Sequence, residues 1–534
     1  MTLLKAVQNI DKRAERVSDD QIINTYVDSD ALISALMTKD NGTLYGRRGT
    51  GKTHALKYLA ETERTKGNFV LYIDMEQDLG STEGLYIDQS LSVPERATRL
   101  LVDVLALMHD KLLEDAFAGN TDILIEHLER AMDHFSEIVV GDIETETSGT
   151  EEFTSRTKAG IDIGPEKLAF NASIDDQEKV GKGSRYKVIG KKRYRVHFGG
   201  LAKCFRDALI AHQANRIWVL LDEWSGLPLD LQPYLAEMLR RIFFSLPKVT
   251  VRIAAIPHRT VWRISSGPGD YIGLEIGSEL FPLLDLDEFV VFPARNREEQ
   301  TARATKFYRM LIHRHVSEIL RADGVEPPDD PDKVLGALFT QATALTETIR
   351  AAEGVPRDAL SIIGRAALRA GGSKIATNDV RDAAAQIYQT TKAAQLNATP
   401  AANALLQAII ADVISTRKAR AFLLRQNQTE HPLIQKLADD RILHIIKRGY
   451  SSKDDAGERF DVLQIDYGCY VHLLKTKDRA PQGMLALGDI SDDKVMEIFY
   501  SDIEVPEEDY RAIRRAVLDL PHKLAELGIT DGQP

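Results

Sequence analysis

Along most of this chain, apolar residues either recur every three or four positions or stand in short unbroken runs closed by polar ones. The first pattern predicts amphipathic helices and the second buried strands. Strand-like runs stand at 43–45 (TLY), 68–74 (NFVLYID), 216–224 (RIWVLLDEW), 250–256 (TVRIAAI) and 287–292 (DEFVVF). Unbroken runs rich in β-branched and aromatic residues fit a parallel sheet covered on both faces. Helical patterns at 53–65, 94–118, 200–213 and 231–245 supply the crossovers that parallel strands need, and Pro94 opens the second of them. Residues 1–40 also read as helical, with Leu32, Ile33, Leu36 and Met37 at helical spacing behind a cap at Asp28 or Ser29. Residues 297–395 are helical almost throughout. Beyond them come helices at 403–424 and 429–438, then strands at 442–446 and 460–466 around an exposed loop, 449–457. A Pro-Gln-Gly linker and a terminal helix at about 506–527 close the chain.

Residues 120–200 break this order. A helix at 121–138 gives way to the acidic, Ser/Thr-rich EIVVGDIETETSGTEEFTS, then to alternating stretches at 159–165 and 167–175 and a basic one at 187–198. The region reads as an insertion, a projecting β-hairpin or mobile loop. Its basic end (Lys187, Lys191, Lys192, Arg193, Arg195) is either a solvated charge run or a contact for nucleic acid or an acidic partner.

Composition narrows the class. With 534 residues, 43% hydrophobic and 28% charged, the chain is globular, and roughly 150 residues per domain implies three or four domains. A net charge of −12 excludes a global basic field for nucleic acid, though not a local patch. Cys204 and Cys469 form neither a disulfide framework nor a zinc spacing, which points to a reducing cytosol. No apolar run reaches 18 residues and the first twenty residues are charged throughout, so neither a membrane span nor a leader is expected and the assignment is cytoplasmic.

The chemistry is concentrated at Gly46-Arg47-Arg48-Gly49-Thr50-Gly51-Lys52-Thr53, a complete G-x-x-x-x-G-K-[ST] phosphate-binding loop (Walker A) between a strand and a helix that starts at His54. Glycines let backbone N–H groups close on polyphosphate oxygens, and the helix N-terminus favours their charge. Lys52 is expected on the β- and γ-phosphates of ATP, and the Thr53 hydroxyl on Mg²⁺. The run Ile217–Leu221 followed by Asp222 and Glu223 is the matching acidic strand (Walker B). Asp222 belongs beside the metal, and Glu223 is placed to polarise the attacking water. His258 ends the next strand as a polar tip within reach of the γ-phosphate. Tyr26 and Val27 either lie against the adenine or pack in the core.

This order of elements resembles the AAA+ ATPase superfamily. Glu353-Gly354-Val355-Pro356-Arg357-Asp358-Ala359-Leu360, with the helical stretches after it, resembles the lid of replication initiators of the origin-recognition type. The resemblance covers roughly residues 20–118, 200–292 and 297–395, and the insertion lies outside it. It implies an α/β ATPase core at 1–295, an all-α lid at 296–398, a winged-helix-like domain at 399–476 and a helical extension at 477–534. It implies that Arg357 is the lid arginine that meets the phosphates (sensor 2). His258 stands where the family carries a sensor 1 Asn. An arginine finger acting in trans is implied among Arg259, Arg263, Arg240 and Arg241, and with it a homo-oligomer. Residues 429–441 carry Glu430, Asp439 and Asp440 against Lys436 and Arg441, too acidic for a dedicated DNA module, so protein docking is weighed above DNA binding there. The expected function is an ATP-hydrolysing switch that assembles with itself or with a separate effector. Initiator-like ATPases of this layout occur in prokaryotic mobile-element and anti-phage loci. The alternatives are a DNA-binding, loader-type ATPase and a nucleotide-gated scaffold with little turnover.

Overall fold

The computed structural model describes residues 2–11, 13–28, 32–79, 90–119, 125–130, 138–140, 178–181, 184–187, 192–194, 198–267, 269–287, 297–396, 398–417, 419–451, 457–475 and 517–529. They fall into two compact units, Met1–Val93 with Gln213–Pro534, and Pro94–His212.

The first unit is built on a five-stranded parallel sheet. Its strands run in the order Phe281–Asp285, Gly42–Tyr45, Val249–Ala255, Ile217–Asp222, Phe69–Asp74. Every residue of Ile217–Asp222 and of Val249–Ala255 is buried, as expected for central parallel strands. The helix Lys52–Thr65 lays Ala55, Leu56, Leu59 and Ala60 against Leu44, Trp218, Leu220 and Ala254. Register sets Asp74 beside Asp222 at the carboxyl ends of adjacent strands. The phosphate loop leaves the sheet at the same edge, after Tyr45, so the sequence motifs meet where open α/β sheets hold their ligands.

Two strand features were not anticipated. The fifth strand of the described sheet is Phe281–Asp285, which the sequence reading did not mark; Asp287 follows it and bonds to Arg47, and the rest of the strand expected at 287–292 lies outside the described residues. Pro282 hides this strand from a pattern search, yet an edge strand tolerates a proline because one side needs no ladder donor. A hairpin, Arg263–Gly267 with Asp270–Gly273, was also not anticipated; Gly273 N donates to Glu237 Oε2 on the helix Gln232–Ile242 at 3.2 Å.

The helical region runs as expected through Arg297–Ala322, Pro331–Leu338, Ala342–Ala352, Pro356–Arg369 and Thr377–Ile387. The N-terminal helix Leu3–Gln8 joins this region's core through Ala6 and Val7, although the sequence reading placed it with the sheet. The C-terminal part is a three-stranded antiparallel sheet in the order Ala421–Arg425, Arg459–Ile465, Leu443–Ser451, packed with the helices Pro400–Ile409, Pro432–Asp439 and Tyr467–Lys475. The helix expected over 403–424 ends in a π-helical stretch, Ile410–Thr416, and Ala421–Arg425 is a strand instead, since its apolar run pairs with Phe460–Gln464. Of the expected terminal helix, Leu520–Glu526 is described. The loop tip 452–456 and residues 476–516 lie outside the described residues.

The second unit holds most of the helix Val93–Ala118 and the helix Phe198–Ala211. His212 Nε2 pairs with Asp115 Oδ2 at 2.9 Å, and His109 Nε2 donates to the Leu128 carbonyl at 3.1 Å. Within the insertion, Ile138–Val140 pairs with Lys192–Tyr194 and Glu178–Gly181 with Ser184–Lys187, both antiparallel. The alternating stretches 159–175, with Lys191 and Arg195, lie outside the described residues. Among the described residues no helix is long and apolar enough to cross a membrane.

Candidate functional site

The phosphate loop is shaped by glycines in the left-handed region, Gly49 at φ +88° and Gly51 at φ +102°. At Gly49 a side chain would also collide. A Cβ there would stand 3.0 Å from Val355 Cγ1 and 3.1 Å from Arg357 Cβ, because the lid helix Pro356–Arg369 starts against the loop. Arg357 N donates to the Gly49 carbonyl at 3.3 Å. Lys52 is buried, and its ammonium donates to the carbonyls of Gly46 at 2.9 Å and Arg47 at 3.1 Å. Burial pulls its pKa down, against the opposing pull of Glu223, Asp222 and Asp287.

Lys52 and Thr53 line a cavity of about 500 Å³ together with Arg48, Gly49, Gly51, His54, Glu223 and Arg357. That volume lies within the usual range for nucleotide-sized ligands. Asp222 is fully buried at the end of its strand, with the Thr53 side chain near enough to counter part of the effect of burial on its carboxylate. Tyr72 Oη donates to Asp222 Oδ2 at 2.8 Å, and Glu223 N donates to Asp222 Oδ1 at 2.9 Å. Glu223 is a non-glycine residue at φ +50°, the strained turn that swings its carboxylate off the strand. Burial raises the pKa of both acids; for Glu223, Lys52 opposes this and Glu76 and Asp74 add to it.

Some cavity residues were missed by sequence reasoning. Asp74 and Glu76 line it from the neighbouring strand end. Asp74 Oδ1 accepts from the backbone N–H groups of Glu76 at 2.9 Å and Gln77 at 3.0 Å. The signal was present, since FVLYID ends in an aspartate just as IWVLLD does. Apolar side chains also line the cavity, Ile10, Val17, Leu311, Ile319 and Leu360, from segments about 300 residues or more apart.

Other expected site residues lie elsewhere. His258 does not line the cavity. Its Nε2 pairs with Asp439 Oδ1 at 2.6 Å, beside Arg259 Nε on Asp439 Oδ2 at 2.7 Å, so the expected polar tip engages the C-terminal domain instead. Tyr26 stacks on Tyr58 at 4.1 Å and is 5% exposed, and Val27 packs against the lid's core; neither lines the cavity. Within the loop, Gly46, Arg47 and Thr50 support it from outside: Thr50 Oγ1 donates to the Arg47 carbonyl at 2.9 Å, and Arg47 Nε donates to Asp287 Oδ1 at 2.6 Å. Of the arginines proposed to act in trans, Arg259 is held by Asp439 and Arg240 by Glu237 and Glu279. Arg241 and Arg263 have the more exposed side chains, at 68% and 57%.

Residues 11–66 match the family model described as ORC-CDC6-like. That stretch contains the phosphate loop and the helix after it, and agrees there with the resemblance read from the sequence. No curated protein matches the chain. Among solved structures the chain is similar to the ORC1 protein of Aeropyrum pernix in complex with DNA, with 13% identity over 84% of this chain and 93% of that chain and a TM-score of 0.30. A likeness that loose carries no argument about function.

Proposed function

We propose that this chain is an ATP-hydrolysing molecular switch of the AAA+, origin-recognition-like kind. The observation that carries the reading is the convergence of Lys52, Thr53, Glu223 and Arg357 on one cavity, with Asp222 directly before Glu223 in the chain. Phosphoryl transfer needs positioned charge more than covalent chemistry, and these side chains supply it. Lys52 and Arg357 neutralise the phosphates. Glu223, its pKa raised by burial, accepts a hydrogen bond from the attacking water and orients it.

Mg²⁺ suits the donor set: the Thr53 hydroxyl and the Asp222 carboxylate are hard oxygens, and one or two protein ligands suffice when phosphates complete the shell. When bound, it would neutralise charge on the transferring phosphoryl group. Tyr72 holds one Asp222 oxygen and the Glu223 N–H holds the other, which fixes the carboxylate's orientation.

Glu223→Gln is expected to bind ATP within about threefold of wild type, by calorimetry, while turnover falls by roughly 100-fold or more. Turnover near the wild-type rate would remove Glu223 from its role. The C-terminal domain serves protein contacts in this reading, because the end of its helix Pro432–Asp439 is engaged by His258 and Arg259. A separately encoded effector and a role in anti-phage defence follow from the sequence resemblance. Lys52→Ala should then abolish protection by the complete locus, and undiminished protection would count against that role.

A further inference from the structure

Arg47 belongs to the phosphate loop but is not a cavity residue. Its backbone N–H and Nε both bond to Asp287, and Nη2 donates to the Glu353 carbonyl at 3.1 Å. Nη1 donates to Nδ1 of His444, a fully buried residue of the C-terminal strand Leu443–Ser451. With Nδ1 accepting, the other ring nitrogen carries the proton, and Nε2–H donates to Asp466 Oδ2 at 3.3 Å. Asp466 is paired with Lys392, whose Nζ lies 3.5 Å from Asp358 Oδ2, and Asp358 directly follows the cavity arginine Arg357. Arg47, His444, Asp466, Lys392 and Asp358 are each less than a tenth exposed. A buried chain of alternating donors and acceptors thus leaves the phosphate loop, crosses the C-terminal domain and returns to the lid beside Arg357.

A second tie runs parallel to it. Glu353, in the left-handed conformation at φ +51°, gives its carbonyl to Arg47. Its carboxylate binds Arg420 and accepts from Gln464 Nε2 at 3.1 Å, both from the C-terminal domain. Buried ion pairs are costly to leave half-made, so such chains hold discrete arrangements and do not deform gradually.

We propose that His444 is a positioning residue for the phosphate loop, acting through Arg47, and that nucleotide binding and the packing of the C-terminal sheet are therefore coupled. The proposal rests on the reading of the cavity as a nucleotide site. Linkage makes the effect reciprocal: whatever docks on the C-terminal sheet shifts nucleotide affinity by the factor with which nucleotide shifts docking.

Hydrogen exchange on the full chain, with and without ATP–Mg²⁺, tests it alongside calorimetry. In wild type, nucleotide should raise protection in Leu443–Ser451 as well as in the phosphate loop. His444→Leu removes the acceptor and should weaken nucleotide affinity roughly tenfold and abolish the strand response. His444→Asn keeps an acceptor at the Nδ1 position and should recover most of the affinity, which a purely structural role would not predict. If His444→Leu fails to fold, the wild-type exchange pattern and the Asn variant still decide. Nucleotide binding that leaves Leu443–Ser451 unchanged overturns this inference alone. Absence of nucleotide binding in wild type overturns the proposed function and this inference with it.

Discussion

His315 and His444 show what burial does to single residues here. Burial pushes the His315 imidazole down to about 3, helped by His54. It also lowers His444, where Asp466 and Glu353 pull the other way and Arg47 and Lys392 add to the lowering. In the unfolded chain both would take a proton near pH 6.5. Between that value and their lower folded values the unfolded state binds more protons. Their contribution is therefore complete above about pH 7, begins to be lost as pH falls below 6.5, and goes on being lost down to the lower folded values. The thermal midpoint is expected to drop between pH 7.5 and pH 5.5, and a flat or rising midpoint would contradict it. Residues of this kind are illegible in sequence, because nothing near His444 in the chain announces Arg47 as its partner.

At the scale of elements, irregular segments place the charges. The π-helical stretch Tyr388–Lys392 ends on Lys392, whose ammonium sits between Asp466 and Asp358. Lys392→Met leaves the buried Asp466 carboxylate without its cation, while Asp358 keeps Arg441, and should cost about 3–5 kcal/mol. A urea midpoint equal to wild type would refute that. Where an element follows local periodicity, the sequence reading and the structure agree: the helix Lys52–Thr65 and the strands Phe69–Asp74, Ile217–Asp222 and Val249–Ala255 lie within two residues of their expected positions. Where partners outvote periodicity, they part. Ala421–Arg425 continues an apolar run that suits a helix, yet becomes a strand because Phe460–Gln464 offers a ladder. Phe281–Asp285 contains a proline and pairs at the sheet's edge, where proline is tolerated.

For the whole molecule, the prediction concerns assembly. A trans-acting arginine has to reach out of its own chain, and Arg263, on the hairpin Arg263–Gly267 with Asp270–Gly273, is more exposed and more loosely paired, 3.6 Å from Glu275, than Arg259 on Asp439 or Arg240 on Glu237, both at 2.7 Å. Mass photometry of Glu223→Gln with ATP–Mg²⁺ is expected to show discrete higher oligomers, with Arg263→Ala lowering turnover in wild type but sparing nucleotide affinity. A protein that stays monomeric with nucleotide bound would remove the trans arginine from the mechanism.

The sequence by itself determined where the loop and the acidic strand stand in the chain. Gly46–Thr53 and Asp222-Glu223 are short, local patterns whose backbone demands are met within a few residues, so they can be read without knowing the fold. It also determined the α/β class, the helical stretch after the sheet and the two C-terminal strands around their loop, since burial on one or two faces imprints a period on the chain. Only the tertiary structure decided which residues share the cavity with the loop, Asp74 and Glu76 among them, and that His258 turns to Asp439. It alone decided that Arg47 reaches His444 across nearly 400 residues of sequence. A buried polar group must find a partner wherever the packed chain offers one, and that choice is made in space, by elements that local pattern cannot relate to each other.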